Sequence, residues 1–311
     1  MMLLGSMFAM ALALALSALA SRARADCDAC VAGQCHSRRP ILAGFPVTGQ
    51  MTIDRSLNVL YLQLNSNQNV AIFLDDLQHR LINMMSTRGM DVDQSSHTLY
   101  MGTEDGPFYR YDLDSNTTVG VPQLNKGLRS NIIKYLRHDK LVYIEDYANN
   151  TSVFHFVSTS VFDVDYTLSV NYPVKDFVLD DRNIYFVSNN TLYVCGQIYT
   201  GSYPPQPPKE IISKKHMSIS SSYFENNYKN DWIYIGSASE KLIYKLNKST
   251  QELIIHAGYK SGTVQDFVMG KDDVIVFREM DGSVAQWVPS DRRCVVEPPH
   301  GDFFVRETTC L

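Results

Sequence analysis

The sequence predicts an all-β protein, specifically a six-bladed β-propeller of four-stranded blades. The main observation is a short motif, two apolar stretches separated by a polar turn, which recurs six times along the chain. Its copies lie about 40 residues apart, the length of a four-stranded propeller blade. Apolar and polar residues mostly alternate with a period of two, and after the N-terminal segment no long stretch has the 3.6-residue period of an amphipathic helix.

Each copy of the motif centres on a tyrosine or, in the last copy, on an isoleucine. The clearest copies are IDRSLNVLYL (residues 53–62) and VDQSSHTLYM (residues 92–101). A single blade cannot bury both faces of its sheet, so we expect the blades to stack in a ring, with aromatic side chains between them. A β-sandwich or a β-solenoid would not need a four-stranded unit of this length. The central residues are Tyr61, Tyr100, Tyr143, Tyr185, Tyr234 and Ile275.

The widest spacing between copies, from the fourth to the fifth, contains the proline-rich segment GSYPPQPP (residues 201–208). We interpret it as a semi-rigid, solvent-facing loop inserted into the fourth blade.

The first 25 residues have the pattern of a secretory signal peptide. A nearly continuous apolar run over residues 7–20 is followed by Ala23-Arg24-Ala25, a cleavage pattern before Asp26. Cleavage after Ala20 is an alternative, and so is an uncleaved anchor, although the run is short for a span of ~20 residues. We expect a secreted, extracellular protein that does not associate with a membrane after cleavage. Residues 26–48 would form a Cys-rich segment joining a propeller over residues 49–311.

All six cysteines follow the signal segment, which indicates up to three disulfides in an oxidising compartment. Three lie near the N-terminus and two near the C-terminus, so a bridge between the ends would close a ring. The first three, followed directly by His36, could instead bind zinc or act as a redox pair, but a closed zinc site needs a suitable fourth ligand. The six are Cys27, Cys30, Cys35, Cys195, Cys294 and Cys310.

Five Asn-x-Ser/Thr sequons lie in polar turns, where a glycan could point to solvent. They begin at Asn116, Asn149, Asn150, Asn189 and Asn247.

The charge balance and the motifs argue against several classes of function. The chain has 28 Lys and Arg against 33 Asp and Glu, a net charge of −5, and no long basic run, so we do not expect nucleic acid as a partner. It contains no Gly-x-Ser-x-Gly elbow, no His-Glu-x-x-His, no phosphate-binding glycine-rich loop and no EF-hand loop. We therefore expect no catalytic residues, no cofactor and no bound metal.

The most promising polar residues lie on the strands predicted to surround the central channel. These strands are residues 50–54, 89–93, 132–136, 174–180, 218–223 and 264–270. A ring of aspartates could hold a divalent cation in a metal-dependent hydrolase of the lactonase type, but a lysine would lie among them. The simpler interpretation is that the aspartates accept hydrogen bonds from turn amides. The polar residues are Asp54, Asp91, Asp93, Lys134, Asp176, Asp180 and Asp266.

The segment DCDACVAGQCH (residues 26–36) and the repeats carrying LYMGTEDG (residues 99–106) resemble the insect ommochrome-binding proteins of moths and butterflies. The resemblance covers nearly the whole chain after the signal segment. It implies a secreted haemolymph protein that carries a phenoxazinone pigment or its tryptophan-derived precursor without catalysis. The proline-rich insert and the tail ending in Cys310 depart from that pattern.

An aromatic, carboxylated ligand would stack on Tyr or Trp and pair with a cation. The candidate binding residues are Arg129, Lys134, Asp91, Asp176 and Asp266. A propeller that binds other proteins remains a further alternative to the small-molecule carrier.

Overall fold

The computed structural model is built almost entirely of antiparallel β-strands. It describes residues 27–42, 44–65, 67–85, 87–103, 108–121, 130–136, 139–147, 150–180, 183–196, 207–221, 232–260, 262–296 and 305–308. The predicted signal segment, Arg129, Asn149, Cys310 and most of the proline-rich segment lie outside these residues. In the described part of the chain no helix is long and apolar enough to cross a membrane.

Four consecutive stretches of chain each form a separate four-stranded antiparallel sheet. In the first, strands β3–β6 are Val47–Asp54, Val59–Leu64, Gln68–Phe73 and His79–Met85. In the second, β7–β10 are Thr87–Asp93, Thr98–Thr103, Phe108–Asp112 and Thr117–Val121. In the third, β11–β14 are Ser130–Leu136, Lys140–Tyr147, Thr151–Ser158 and Asp163–Val170. In the fourth, β15–β18 are Asp176–Leu179, Asn183–Ser188, Thr191–Gly196 and Lys209–Ser213.

The remaining strands form one ten-stranded sheet. Its fifth repeat contributes β19–β22, which are Met217–Ser221, Trp232–Ser237, Leu242–Asn247 and Leu253–Tyr259. Its sixth repeat contributes β23 (Val264–Met269), β24 (Ile275–Glu279) and β25 (Val284–Val296), and β26 (Val305–Thr308) also pairs with β25. The N-terminal hairpin of β1 (Ala29–Val31) and β2 (Gln34–Leu42) lies between the two repeats.

The prediction of six four-stranded blades is therefore wrong: in the described part of the chain four repeats form separate four-stranded sheets, and the last two repeats share one sheet. The N-terminal hairpin joins the last two repeats: β1 pairs with β22, and β2 pairs with β25. Without the hairpin, β22 and β25 would each leave an unpaired edge at the end of their repeats. An unpaired edge costs hydrogen bonds and favours aggregation. The first strands of the repeats nevertheless contact one another in a closed circle, in the order β3, β7, β11, β15, β19, β23 and back to β3.

The hydrophobic core lies between neighbouring sheets, as the repeat motif predicts. All six central residues of the motif are buried. Tyr61 of the first sheet packs against Val92 and Leu99 of the second. Tyr143 of the third sheet packs against Phe108 of the second, with ring centroids 5.1 Å apart. Burial of one large apolar side chain contributes about 1.5–3 kcal/mol, so these contacts hold the sheets to one another.

Among the described residues, two disulfides hold the three N-terminal cysteines. Cys27 bonds to Cys35 within the N-terminal hairpin, and Cys30 bonds to Cys294 of β25. The predicted bridge between the ends is therefore confirmed. Because Cys27, Cys30 and Cys35 are all held in disulfides, none of the three offers a thiolate to zinc. Burial raises the pKa of the Cys195 thiol. Cys310, the sixth cysteine, lies outside the described residues.

Three of the four described sequon asparagines lie on exposed turns. Asn116, Asn150 and Asn189 are exposed and have positive φ angles, which Asn tolerates in tight turns. Asn247 is half-buried, and its Oδ1 accepts hydrogen bonds from the amides of Ser249 and Thr250.

Candidate functional site

The first strands of the repeats surround a channel that holds a cavity at each end. One cavity, hereafter the small cavity, has a volume of about 180 Å³ and a polar lining that includes Thr52, Arg55, Asp91, Asp93, Lys134 and Tyr135. The other, hereafter the large cavity, has a volume of about 360 Å³ and is lined in part by Gln50, Asp176, Ser218, Gln265, Asp266 and Arg278.

The position of each residue along its strand decides which cavity it lines. On β11, Ile132 lines the large cavity and Lys134 the small one. On β19, Ser218 lines the large cavity and Ser220 the small one. Because the first strands all run in the same direction around the channel, the large cavity lies at their N-terminal ends and the small cavity at their C-terminal ends.

An ion pair lies between the two cavities. Lys134 Nζ is 3.4 Å from Oδ1 of Asp176, and the two side chains are only 20% and 23% exposed. Lys134 lines the small cavity and Asp176 the large one, so this contact joins the walls of the two cavities. Sequence analysis placed both residues at the channel, and the structure brings them together.

The carboxylates around Lys134 govern its charge. Burial alone would lower the pKa of the Lys134 ammonium, but neighbouring carboxylates outweigh burial and raise it. These are, in order of decreasing effect, those of Asp176, Asp91 and Asp266. Lys134 therefore stays protonated at neutral pH.

The charge of Asp176 is less well compensated. Burial, together with the charge of Asp266, raises the pKa of Asp176 to about 6, although Lys134 acts in the opposite direction. Both members of the ion pair therefore bind protons more tightly than usual, Lys134 because of the carboxylates around it and Asp176 mainly because it is buried.

Asp91 is fixed by contacts with strands on both sides. Its Oδ1 accepts a hydrogen bond from Thr52 Oγ1 at 2.5 Å, and its Oδ2 accepts one from the backbone amide of Tyr135 at 2.6 Å. The carboxylate thus links β3, β7 and β11, and its two oxygens are largely occupied. This makes Asp91 mainly a structural residue that also adds negative charge to the channel wall.

Gln50 joins the same three strands at the other end of the channel, and sequence analysis missed it. Its Oε1 accepts hydrogen bonds from the amides of Met90 and Ile133, and its Nε2 donates to the carbonyl of Ile133. No signal in the sequence distinguishes it, because β3 also contains the polar residues Thr48, Thr52 and Asp54.

Asp54 and Asp93 have the turn-forming role that was the simpler interpretation of the sequence. Asp54 Oδ1 accepts hydrogen bonds from Ser56 Oγ and from the amide of Leu57. Asp93 Oδ1 accepts them from the amide and hydroxyl of Ser95, and these and other bonds lower the pKa of Asp93 although its burial acts to raise it. These carboxylates stabilise the turns after β3 and β7.

Arg278 is the most important channel residue that sequence analysis missed. It lies on β24, the second strand of the sixth repeat, and its guanidinium reaches the large cavity. Its Nη1 donates to the carbonyl of Gly49 at 2.6 Å, and its Nη2 lies 3.6 Å from Oδ2 of Asp266. The repeat motif indicates which strands line the channel, and a side chain that reaches it from a second strand carries no such signal.

The charged groups of the channel do not form a metal site in the described part of the chain. No group of three or more His, Cys, Asp or Glu side chains is placed there to hold a metal ion. The carboxylates instead face Lys134 and Arg278. Arg129, the second cation predicted from sequence, lies outside the described residues.

Together, the circle of antiparallel sheets and the channel within it define an all-β, propeller-like fold. No family model matches the chain, and no curated protein matches it significantly.

Solved structures with the same fold do match. The chain is similar to the β-propeller domain of Cps50 (Swd1) from Myceliophteria thermophila, with 7% identity and a TM-score of 0.55, covering 81% of this chain and 100% of that one. It is also similar to a chain of hydrazine synthase from Kuenenia stuttgartiensis, with 9% identity and a TM-score of 0.56, covering 78% and 83%. A chain of the mitotic checkpoint complex matches with 12% identity and a TM-score of 0.57, covering 78% and 87%. At these identities the likeness establishes the β-propeller fold alone.

Proposed function

We propose that this chain is an extracellular, non-catalytic binding protein that carries a small aromatic ligand in its central channel. The observation that carries the proposal is the pair of cavities at the two ends of the channel, with charged groups of both signs in their walls. Small-molecule sites are typically concave and contain a few polar groups that orient the ligand. The channel has both properties.

The size of the cavities favours a small ligand. Ligand sites usually measure about 300–1,000 Å³. The large cavity, at about 360 Å³, is at the lower end of that range, and the small cavity, at about 180 Å³, is below it. Of the two ligand classes that the resemblance to ommochrome-binding proteins implies, a one-ring tryptophan-derived precursor suits these volumes better than a multi-ring pigment.

The disulfides support the extracellular part of the proposal. The Cys30–Cys294 bond joins the two ends of the described chain, and the Cys27–Cys35 bond closes the N-terminal hairpin. Structural disulfides of this kind form and persist in oxidising compartments. This agrees with the signal-peptide pattern at the start of the sequence.

The position of Lys134 argues against the metal-dependent hydrolase. Its ammonium lies among the carboxylates of the channel, where a divalent cation would have to bind. A cation there would be repelled by the lysine and would have to displace it.

Isothermal titration calorimetry with 3-hydroxykynurenine and xanthommatin tests the proposal. We expect equimolar binding of the smaller ligand, weakened at least about tenfold by Asp176→Asn, since a charge-assisted hydrogen bond contributes ~1.5–3 kcal/mol. Asp180→Asn is the matched control, because Asp180 forms an ion pair with Lys248 at the same distance of 3.4 Å but lines neither cavity. If neither compound binds, the proposal is wrong.

A further inference from the structure

Two aspartates of the large cavity have the same local geometry. Oδ1 of Asp176 accepts a hydrogen bond from the amide of Phe177 at 2.8 Å, and Oδ1 of Asp266 accepts one from the amide of Phe267 at 2.9 Å. Each bond fixes the carboxylate against its own strand. Within the described residues, Oδ2 of Asp176 has no hydrogen-bond donor, and Oδ2 of Asp266 has only the 3.6 Å contact with Arg278. Oδ2 of each carboxylate is therefore available to accept a hydrogen bond from a ligand.

Arg278 also has N–H donors available for a ligand. A guanidinium has five N–H donors. Here one donates to the carbonyl of Gly49, one faces Asp266 at 3.6 Å, and Nε is buried without an acceptor among the described residues. A buried donor without an acceptor costs free energy, so an additional acceptor near this guanidinium would be stabilising. The planar guanidinium is well suited to a carboxylate.

The charges of the large cavity are mixed in sign. Asp176 and Asp266 supply negative charge, and Arg278 and Lys175 supply positive charge. A purely anionic ligand would meet two carboxylates, and a purely cationic ligand would meet two cations. A ligand that carries both an ammonium and a carboxylate satisfies both sets of groups. The raised pKa of Asp176 supports the same conclusion, because an ammonium would stabilise its ionised form.

We propose that the large cavity is a subsite for the headgroup of a free α-amino acid. The ammonium binds between the carboxylates of Asp176 and Asp266, and the carboxylate binds Arg278. Apolar wall residues, Ile132, Val174 and Met217, lie in the same cavity and are placed to contact the ligand side chain. This inference rests on the proposed function, since it names the ligand class that the channel would carry.

Calorimetry with three related compounds tests the subsite. L-Tryptophan has both charged groups, tryptamine lacks the carboxylate, and indole-3-propionic acid lacks the ammonium. We expect L-tryptophan to bind at least about tenfold more tightly than either analogue, the effect of one charge-assisted contact of ~1.5 kcal/mol. Equal binding of all three would overturn the subsite and leave the proposed function standing, whereas no binding of any compound would count against both.

The variant Arg278→Met separates ligand binding from a purely structural role. We expect its preference for L-tryptophan over tryptamine to fall about tenfold, because the guanidinium that recognises the carboxylate is gone. Arg80→Met is the matched control, since Arg80 Nη1 also donates to a backbone carbonyl, that of Leu113 at 2.7 Å, but lines neither cavity. If Arg278→Met weakens both ligands equally, or if Arg80→Met changes the preference to the same extent, the subsite is wrong.

Discussion

Nζ of Lys134 and Oδ1 of Asp176 lie 3.4 Å apart, although the two residues line different cavities of the channel. The two residues come from neighbouring strands of the inner circle, β11 and β15. Because each strand contributes one partner, the pair both links two sheets and sets the electrostatics of the site. Removal of either partner should therefore affect both stability and binding.

The variant Lys134→Met should destabilise the fold by about 1–3 kcal/mol. The remaining carboxylates would lose their cation, and breaking a buried pair leaves an uncompensated charge, although the partial exposure of this pair moderates the loss. The double variant Lys134→Met, Asp176→Leu should recover much of the lost stability, because it removes both charges of the ion pair and leaves neither partner uncompensated. Urea unfolding measures both values, with Lys248→Met as the control for an ion pair away from the cavities. A double variant no more stable than the single one would contradict this account.

The stability of the fold should depend on the protonation of Asp176. Its pKa is raised from 3.8 to about 6, so between these values the folded state binds more protons than the unfolded state. Stability contributed by this group is therefore present at low pH and falls as the pH rises through that window. The relevant neighbours are Lys134, Asp91, Asp266 and Arg278. The difference in unfolding free energy between the wild type and Asp176→Asn, measured in steps across the window, isolates this effect. A difference independent of pH would show that Asp176 ionises normally.

Replacement of Gly89 by alanine should destabilise the contact between the second and third sheets. A Cβ at this position would lie 2.9 Å from the backbone nitrogen of Ile133 and 3.0 Å from its Cγ1. Strands β7 and β11 would have to move apart, and overpacking of this kind costs about 1–3 kcal/mol. Gly120→Ala is the control, because its Cβ would meet only the ring of Tyr109, at 3.7 Å. Chemical denaturation should show a loss for Gly89→Ala alone, and an equal loss in both variants would contradict the close approach.

Loss of the disulfide between the ends should cost more stability than loss of the hairpin disulfide. The Cys30–Cys294 bond spans 264 residues and the Cys27–Cys35 bond spans 8. Loop-closure entropy then gives about 5.6 kcal/mol for the first and about 2.5 kcal/mol for the second. Changing both cysteines of one pair to serine gives two matched variants, since all four cysteines are buried. Calorimetric unfolding should rank them in this order, and equal losses would mean that closure between the ends adds nothing.

Part of the channel could be predicted from the sequence and part could not. Lys134, Asp91, Asp176 and Asp266 were predicted because each lies on the first strand of a repeat, and the repeat itself indicates which strand is first. Arg278 could not be predicted in this way. Its sequence neighbours form an ordinary apolar strand, and only the fold brings its guanidinium to Asp266.

By itself, the sequence determined the all-β class, the order of the strands within each repeat, the burial of the central tyrosines and the turns formed by Asp54 and Asp93. These features follow from interactions between residues close in sequence: the alternation of apolar and polar side chains, and short side-chain hydrogen bonds to turn amides. Only the tertiary structure decided how the ring closes, with β1 and β2 uniting the fifth and sixth repeats in one sheet, and which charges meet in the channel. Those outcomes depend on pairing between segments that are distant in sequence, and the periodicity of a strand does not specify its distant partner.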